Sequence, residues 1–110
     1  MNDAKLSEAS LLTLERAAEL FGVLSTPVRL QIIRVLCDGE QNVTHLLAQI
    51  EASQPNMSRH LQVLYQSGVL TRRRDGHQVF YRLADASQAL VCRLVCSQLG
   101  CDGQDFEVPV

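Results

Sequence analysis

Several features that would direct an interpretation elsewhere are missing from this sequence. No apolar run approaches the ~20 residues of a membrane helix, and the N-terminus lacks the basic and then apolar stretch of a secretory signal. We therefore expect a cytoplasmic protein with no membrane partner, whose four cysteines are reduced thiols. The sequence also has no Cys-x-x-Cys pair, no paired catalytic acid and base and no glycine-rich phosphate loop. We therefore predict that the protein is not an enzyme and has no catalytic residues.

Aromatic residues are also scarce, and the composition that remains is typical of helices. The chain has no tryptophan, three phenylalanines and two tyrosines, while alanine, leucine, valine and glutamine are common. Its 110 residues fit a single domain over 1–110, with residues 1–10 and 101–110 as flexible tails. A domain this small often gains stability by oligomerising.

Charge is distributed unevenly along the chain. The formal net charge is −2, which by itself does not predict a nucleic-acid partner. Residues 53–83, however, contain five arginines and one aspartate, a local charge of +4. The segments on either side of this stretch are acidic. A basic patch on an acidic body predicts a DNA-binding surface with modest non-specific affinity.

Two amphipathic helices are predicted in the first third of the chain. Apolar side chains recur mostly three to four residues apart over 11–24, which is the helical period. A second helix is predicted from Pro27 to about Cys37, because Thr26 is a favourable N-cap and proline suits the first helical position. Its buried face is predicted to be Leu30, Ile33 and Leu36 or their neighbours.

Two further helices form a predicted helix-turn-helix. Asn42 caps the third helix, over 43–50, and Ser53 caps the fourth. Gly68 ends the fourth helix in the left-handed conformation. The three or four residues between the two helices are the spacing of a helix-turn-helix. The buried face of the fourth helix is predicted to be Met57, Leu61 and Leu64.

A β-hairpin and a last helix complete the predicted fold. Residues 69–73 and 78–82 are rich in strand-forming side chains, and Asp75-Gly76 between them is a strong hairpin signal. The segment 84–99 predicts a last helix. The fold is therefore predicted to be mainly α with a small β-hairpin: four helices, two strands and a fifth helix, a winged helix-turn-helix.

The predicted fourth helix and hairpin together carry the side chains that reading DNA requires. A recognition helix needs an apolar docking face, an opposite face of hydrogen-bonding side chains, and nearby cations for the phosphates. Glutamine and asparagine bond adenine, and arginine bonds guanine, through pairs of hydrogen bonds. We therefore predict double-stranded DNA as the partner, with these DNA-binding residues: Ser53, Gln54, Asn56, Ser58, Arg59, Gln62, Arg72, Arg73, Arg74 and His77.

The arginines of the hairpin favour DNA binding over the alternative that the polar side chains are merely solvated. A polar helix face also occurs where a helix is merely solvated, so the fourth helix alone leaves both interpretations open. Arg72, Arg73 and Arg74 cannot all be neutralised by Asp75, which favours DNA binding. Strand alternation places Arg73 on the side opposite to its two neighbours.

Three blocks of the sequence, in this order and spacing, resemble the ArsR/SmtB family of winged-helix repressors. They are LSTPVRLQIIRVL, SQPNMSRHLQVLYQSGVL and RRDGHQVFYRL, and the similarity extends over roughly residues 15–99. The resemblance implies a homodimer in which the first and last helices form most of the interface. It also implies that the dimer binds operator DNA without a cofactor and leaves it when an inducer binds.

The metal sites known in this family are not reproduced in the sequence. Its zinc or nickel site on the last helix uses an acid and histidines. Asp85 matches the acid, but Ser87 stands in the place of the first histidine and no histidine follows His77. Its arsenic or cadmium site uses a cysteine pair in the third-helix region, and residues 43–52 contain no cysteine. A sensor would have to be built from other residues.

Three cysteines near the C-terminus predict such a site. Cys92 and Cys96 are four residues apart on the predicted last helix and share one face, and Cys101 follows just after Gly100. Three thiolates suit trivalent arsenic, whereas zinc would require a fourth ligand. We therefore predict As(III) or another soft, thiophilic metal ion as inducer, held by Cys92, Cys96 and Cys101.

Cys37 supports a different sensor. It ends the predicted second helix, which in this family's fold lies close to the last helix. Relatives that respond to sulfide or persulfide pair a second-helix cysteine with a last-helix cysteine, although their second-helix cysteine lies about one turn earlier, where this chain has Arg34. The alternative is a redox- or persulfide-responsive repressor that uses Cys37 with a last-helix cysteine, Cys96. Two further interpretations remain open. The protein could be a regulator with no ligand, and the cysteines could serve only as small buried apolar residues.

Overall fold

The computed structural model describes residues 5–85, 92–95 and 97. Four helices and three strands are defined along this part of the chain: α1 Glu8–Val23, α2 Pro27–Leu36, β1 Gln41–Asn42, α3 Val43–Gln49, α4 Gln54–Gln66, β2 Leu70–Asp75 and β3 Gln78–Leu83. Asp85, residues 92–95 and Ser97 are also helical. Most of the predicted last helix, and the predicted tail over 101–110, lie outside the described residues.

A polar side chain caps the N-terminus of every one of these helices. In each case a side-chain oxygen accepts a hydrogen bond from the backbone N–H three residues later, at 2.8–3.2 Å; the caps are Ser7, Thr26, Asn42 and Ser53. The cap at Ser7 is the reason that α1 begins at Glu8 and not at Leu11. Helix α1 therefore includes residues 8–10, which the sequence analysis assigned to the N-terminal tail.

The core lies between α2, α3, α4 and the sheet. The predicted buried face of α4 is confirmed, since Met57, Leu61 and Leu64 are fully buried. On α2, Ile33 and Leu36 are buried as predicted, but the buried face also includes Ile32 in place of Leu30, which is 37% exposed. The largest fully buried side chains are Ile32, Ile33, Leu36, Leu46, Met57, Leu61, Leu64, Leu70, Leu83 and Val69.

The three strands form an antiparallel sheet in the order β1-β3-β2. The β2–β3 hairpin was predicted, but its turn is Gly76-His77, because Asp75 still pairs with Gln78. Gly76 has a φ of 64°, a conformation that favours glycine. The sequence did not predict β1, since a strand of two residues is too short to show alternation.

Helix α1 differs from the others because none of its residues is buried. Large apolar side chains are exposed on it and just before it: Leu6, Leu11, Leu12, Leu14 and Phe21. Its Val23 and Leu20 only border the core, and Leu24 follows the helix into it. Within the described part of the chain, no helix combines the length and apolar character that crossing a membrane requires.

Candidate nucleic-acid interface and cysteine pair

Helix α4 presents a polar face to solvent, and we call it the recognition helix. It docks on the core through the three apolar residues already named, so the side chains between them face outward. Ser53 uses its hydroxyl as the N-cap. The other predicted DNA-binding residues of this helix are all exposed: Gln54, Asn56, Ser58, Arg59 and Gln62. The proline in the first turn lacks an N–H that the helix would not use, so it is compatible with this geometry.

The hairpin of β2 and β3, which we call the wing, is joined to the recognition helix by one arginine. The Arg72 guanidinium lies 4.0 Å from the centre of the Tyr65 ring. It also donates a long hydrogen bond of 3.4 Å to Gln62 Oε1. Tyr65 and Gln62 are three residues apart on one side of α4. The sequence interpretation missed Tyr65, although an exposed tyrosine one turn beyond Gln62 was a usable signal.

Arg73 has a different environment from Arg72. Its Nε and Nη2 donate hydrogen bonds to the two Glu40 carboxylate oxygens at 2.9 and 2.7 Å. The hydrogen bond from Arg73 holds the pKa of Glu40 below its ordinary value, and the same bond raises the pKa of Arg73. Glu40 precedes β1, so the pair ties the wing to the edge of the sheet. The sequence analysis weighed only Asp75 against the three arginines of the wing and missed Glu40.

The basic patch is smaller than the sequence suggested. Arg82 forms an ion pair with Asp85 at 3.0 Å, and Arg73 is paired with Glu40; both acids lie outside the segment 53–83 that was counted as +4. Among the described residues, Arg59, Arg72 and Arg74 form no ion pair. All three are exposed; Arg59 lies on α4 itself and Arg72 contacts α4.

His60, on the recognition helix, is half-buried and contacts α2. Its Nδ1 accepts a hydrogen bond of 3.0 Å from Arg29 Nε on α2. The same guanidinium donates to the carbonyl oxygen of Val23, at the end of α1, at 2.9 Å. One arginine therefore joins the ends of α1 and α2 to the recognition helix. Burial lowers the pKa of His60, and the neighbouring Arg29 and Arg59 lower it further.

Two cysteines from distant parts of the chain are joined. Cys37, the C-cap of α2, forms a disulfide with Cys92 across a sequence separation of 55 residues, with a Cα–Cα distance of 5.6 Å. Both are partly buried against the core. The redox alternative named Cys37 with a last-helix cysteine, and Cys92 is the partner found. Cys96, the cysteine named there, lies outside the described residues.

The structure describes only one residue of the predicted metal site. Of Cys92, Cys96 and Cys101, only Cys92 lies in the described part of the chain. Across residues 5–85, 92–95 and 97, no group of three or more His, Cys, Asp or Glu side chains is arranged to hold a metal ion. His77 is exposed in the turn of the wing, and His45 lies on the solvent-facing side of α3.

Sequence comparison identifies relatives of this chain. Residues 26–72 match the family model of bacterial regulatory proteins of the arsR family. The biofilm growth-associated repressor of Xylella fastidiosa (strain Temecula1) is 44% identical over 72 residues, which cover 66% of this chain and 63% of that protein. The arsenical resistance operon repressor of Escherichia coli K12 is 33% identical over 93 residues, covering 84% of this chain and 80% of that repressor.

Solved structures agree with this relationship. The transcriptional repressor BigR from Xylella fastidiosa superposes with a TM-score of 0.76 at 33% identity, covering 90% of this chain and 98% of that one. The homodimeric winged helix-turn-helix DNA-binding domain of Mb0332 from Mycobacterium bovis gives a TM-score of 0.74 at 29% identity, covering 86% and 87%. These relatives confirm the predicted winged helix-turn-helix, and they are named as regulators and not as enzymes, as the sequence predicts. The chain belongs to the ArsR/SmtB family.

Proposed function

We propose that this protein is a homodimeric, DNA-binding transcriptional repressor whose affinity for its operator is set by the Cys37–Cys92 thiol pair. The reduced protein binds DNA, and closing the disulfide releases it. The observation that carries the proposal is the cysteine pair itself, because it joins the end of α2 to the C-terminal helical segment.

DNA binding is supported by the exposed polar face of the recognition helix and the unpaired arginines around it. Gln54, Asn56 and Ser58 occupy the N-terminal half of α4, which is the half that reaches base edges when such a helix enters the major groove. Arg59 lies on the same helix and supplies a cation without an ion-pair partner among the described residues. Base contacts would then select the sequence, while arginines bind phosphates.

Dimerisation is supported by the exposed apolar side chains of α1. A helix that buries none of its residues gains little from its own chain, because an isolated helix of this length is marginal in water. Leu94 in the C-terminal helical segment is 50% exposed as well. A second copy that covers both surfaces would bury this apolar area. A dimer also matches the two half-sites of a palindromic operator.

The disulfide offers a direct route from thiol chemistry to DNA binding. Arg29 of α2 is hydrogen-bonded to His60 of the recognition helix, so a constraint applied at the end of α2 acts on an element that contacts α4. A hydroperoxide would oxidise one thiolate to a sulfenic acid and depart as an alcohol or water. The second thiol would then displace water and close the disulfide, with two electrons transferred to the peroxide. A persulfide donor is the alternative oxidant: it would transfer its outer sulfur to one thiolate and leave as a thiol, and the second thiol would then displace hydrogen sulfide and close the disulfide.

An arsenic response is the second candidate, and one relative is named as the arsenical resistance operon repressor. As(III) would take Cys92 together with Cys96 and Cys101, in competition with the bond to Cys37. The two candidates share Cys92 but differ in the other cysteines. Variants of the unshared residues therefore separate them.

The test begins with an operator selected from a random duplex library by the reduced protein. Its affinity is then measured by fluorescence anisotropy in reductant, after hydrogen peroxide, after a persulfide donor and after As(III). We expect peroxide or the persulfide donor to weaken binding by on the order of 5–150-fold, and reductant to restore it. The Cys37→Ser and Cys92→Ser variants should stay bound, whereas the matched control Cys96→Ser should respond as the parent does.

Three outcomes would contradict the proposal. Failure to enrich any duplex would exclude sequence-specific DNA binding. A full oxidant response in Cys37→Ser would exclude the thiol pair. Release by As(III) that persists in Cys37→Ser and is lost in Cys96→Ser and Cys101→Ser would establish the arsenic site instead.

A further inference from the structure

The three consecutive arginines of the wing do not share one environment. Side chains alternate between the two faces of a strand, so Arg72 and Arg74 lie on one face of β2 and Arg73 on the other. On the first face, Arg72 contacts the recognition helix through Tyr65. The opposite face is the one on which Glu40 approaches.

Arg73 is already occupied by acids of the same chain. The bidentate hydrogen bonds to Glu40 use Nε and Nη2, and Nη1 lies 3.9 Å from an Asp75 carboxylate oxygen. Its guanidinium also lies 4.7 Å from the centre of the Phe80 ring, directly across the hairpin. A DNA phosphate would have to displace a carboxylate that already matches the guanidinium fork. Arg73 therefore has little charge left to offer to DNA.

Arg72 keeps its charge available. It has no carboxylate partner among the described residues, and its contacts are the Tyr65 ring and one long hydrogen bond to Gln62. A ring face orients a guanidinium without neutralising it. The other N–H groups of the Arg72 guanidinium lie beside the exposed side of the recognition helix. This placement suits a phosphate that flanks the bases read by α4.

Arg74 is exposed and follows Arg72 on the same face of β2. It pairs with Val79 in the hairpin and forms no ion pair in the part of the chain that the structure describes. It is the arginine closest in sequence to the turn of the wing. Arg74 is therefore suited to bind a second phosphate of the same DNA strand.

We propose that Arg72 and Arg74 are the phosphate-binding residues of the wing, whereas Arg73 is a positioning residue that Glu40 holds. The Glu40–Arg73 pair fixes the angle of the wing against the edge of the sheet. This assignment rests on the proposed DNA binding. It changes the sequence prediction, in which all three arginines bind DNA.

The test is the salt dependence of DNA affinity, which reports the number of phosphates neutralised. The probe is a fluorescein-labelled duplex of random sequence and about 30 base pairs, long enough for two half-sites. Arg72→Gln and Arg74→Gln should each lower the slope of log affinity against log salt by about 0.9 per phosphate lost. The loss of affinity between 50 and 200 mM salt then becomes roughly 3.5-fold smaller per phosphate.

The decisive variant is the double substitution Glu40→Gln/Arg73→Gln, which leaves the net charge of the chain unchanged. It should keep the slope of the parent, because no phosphate contact is removed. Arg73→Gln alone should weaken binding, since it leaves Glu40 unpaired beside the wing. Adding Glu40→Gln removes that carboxylate and should recover part of the affinity, but not all of it, because the pair no longer fixes the wing. Thermal unfolding of each variant confirms that it is folded.

Two results would overturn this assignment. One is a slope that falls in Glu40→Gln/Arg73→Gln by as much as it falls in Arg72→Gln, as expected for a lost phosphate contact. The other is an unchanged slope in both Arg72→Gln and Arg74→Gln. If instead the parent protein shows no salt-dependent binding to the duplex, it is the proposed function that fails.

Discussion

At the scale of single residues, Arg29 links three helices, and His60 is its partner on α4. Its imidazole accepts the Arg29 hydrogen bond only while Nδ1 is unprotonated. Burial is the first cause that lowers its pKa from the ordinary 6.5, and the guanidinium groups of Arg29 and Arg59 act in the same direction. The folded protein therefore favours the neutral form, while the unfolded chain takes up a proton near pH 6.5.

We expect protein stability to fall as the pH drops through about 6.5 and on towards the lowered pKa of His60. His60→Asn keeps an acceptor atom near the position of Nδ1 but does not titrate. Its free energy of unfolding should change less between about pH 7.5 and 5.5 than that of the parent, as measured by denaturant unfolding. His77→Asn, in the exposed turn of the wing, is the matched control and should follow the parent. Equal pH dependence in the parent and in His60→Asn would contradict this role.

At the scale of secondary-structure elements, two polar contacts hold the wing in place in addition to the Glu40–Arg73 pair. One is Asn42, which is only 8% exposed and has two partners. Its Oδ1 caps α3 by accepting from His45 N–H at 2.8 Å, and its Nδ2 donates to Gln78 Oε1 of β3 at 3.1 Å. The other is the stack of Arg72 on Tyr65 described above.

Asn42→Ala should cost about 1–2 kcal/mol of stability for the lost cap, and more because Gln78 loses its partner. Ser53→Ala removes an exposed cap with no second partner and measures the cost of a cap alone. Asn42→Asp keeps the cap and loses the donor, so it should lie between the parent and Asn42→Ala. The measurement is denaturant unfolding. A loss in Asn42→Ala no larger than that in Ser53→Ala would show that the bond to β3 contributes nothing.

Tyr65→Leu should remove the aromatic contact that orients Arg72, at a cost of about 0.5–1 kcal/mol for an exposed site. Affinity for a duplex should also fall by a few fold at constant salt slope, because Arg72 loses its orientation but keeps its charge. Tyr65→Phe retains the ring and should behave as the parent in both measurements. An equal loss in both variants would assign the effect to the hydroxyl group.

At the scale of the whole molecule, we expect α1 to govern association and the cysteine pair to contribute to stability. The exposed apolar residues of α1 lead us to expect that Phe21→Glu, at a side chain that is 64% exposed, converts a dimer into monomers. Burying one such side chain contributes about 1.5–3 kcal/mol, which a buried carboxylate would more than cancel. Sedimentation equilibrium measures the change. Gln31→Glu, on the exposed side of α2, should leave the association unchanged. A Phe21→Glu protein that still dimerises would exclude α1 as the interface.

Reduction of the Cys37–Cys92 bond should lower the free energy of unfolding by up to about 4 kcal/mol, because the bond closes a long loop in the unfolded chain. Cys37→Ser in the absence of reductant should match the reduced parent, and reductant should have no further effect on it. Chemical denaturation at fixed protein concentration tests this, since association also affects stability. A parent whose stability is insensitive to reductant would contradict the pairing in solution.

The elements were largely predictable from local sequence. Helix caps at Thr26, Asn42 and Ser53, and the apolar spacing of Met57 and Leu61, are local signals that tertiary contacts did not override. The hairpin was predictable for the same reason, apart from a turn one residue later than Asp75-Gly76 suggested. The family resemblance followed from these same blocks of residues.

The partners of the charged and sulfur-containing side chains were decided by tertiary structure. Local sequence placed Arg72, Arg73 and Arg74 together, but it could not reveal Glu40, which lies 33 residues away from Arg73 and reaches it only because β1 joins the sheet. Cys37 and Cys92 are brought together in the same way, by the packing of distant segments. Periodicity and capping depend on neighbours in sequence, whereas ion pairs and disulfides depend on distances that only the folded chain sets.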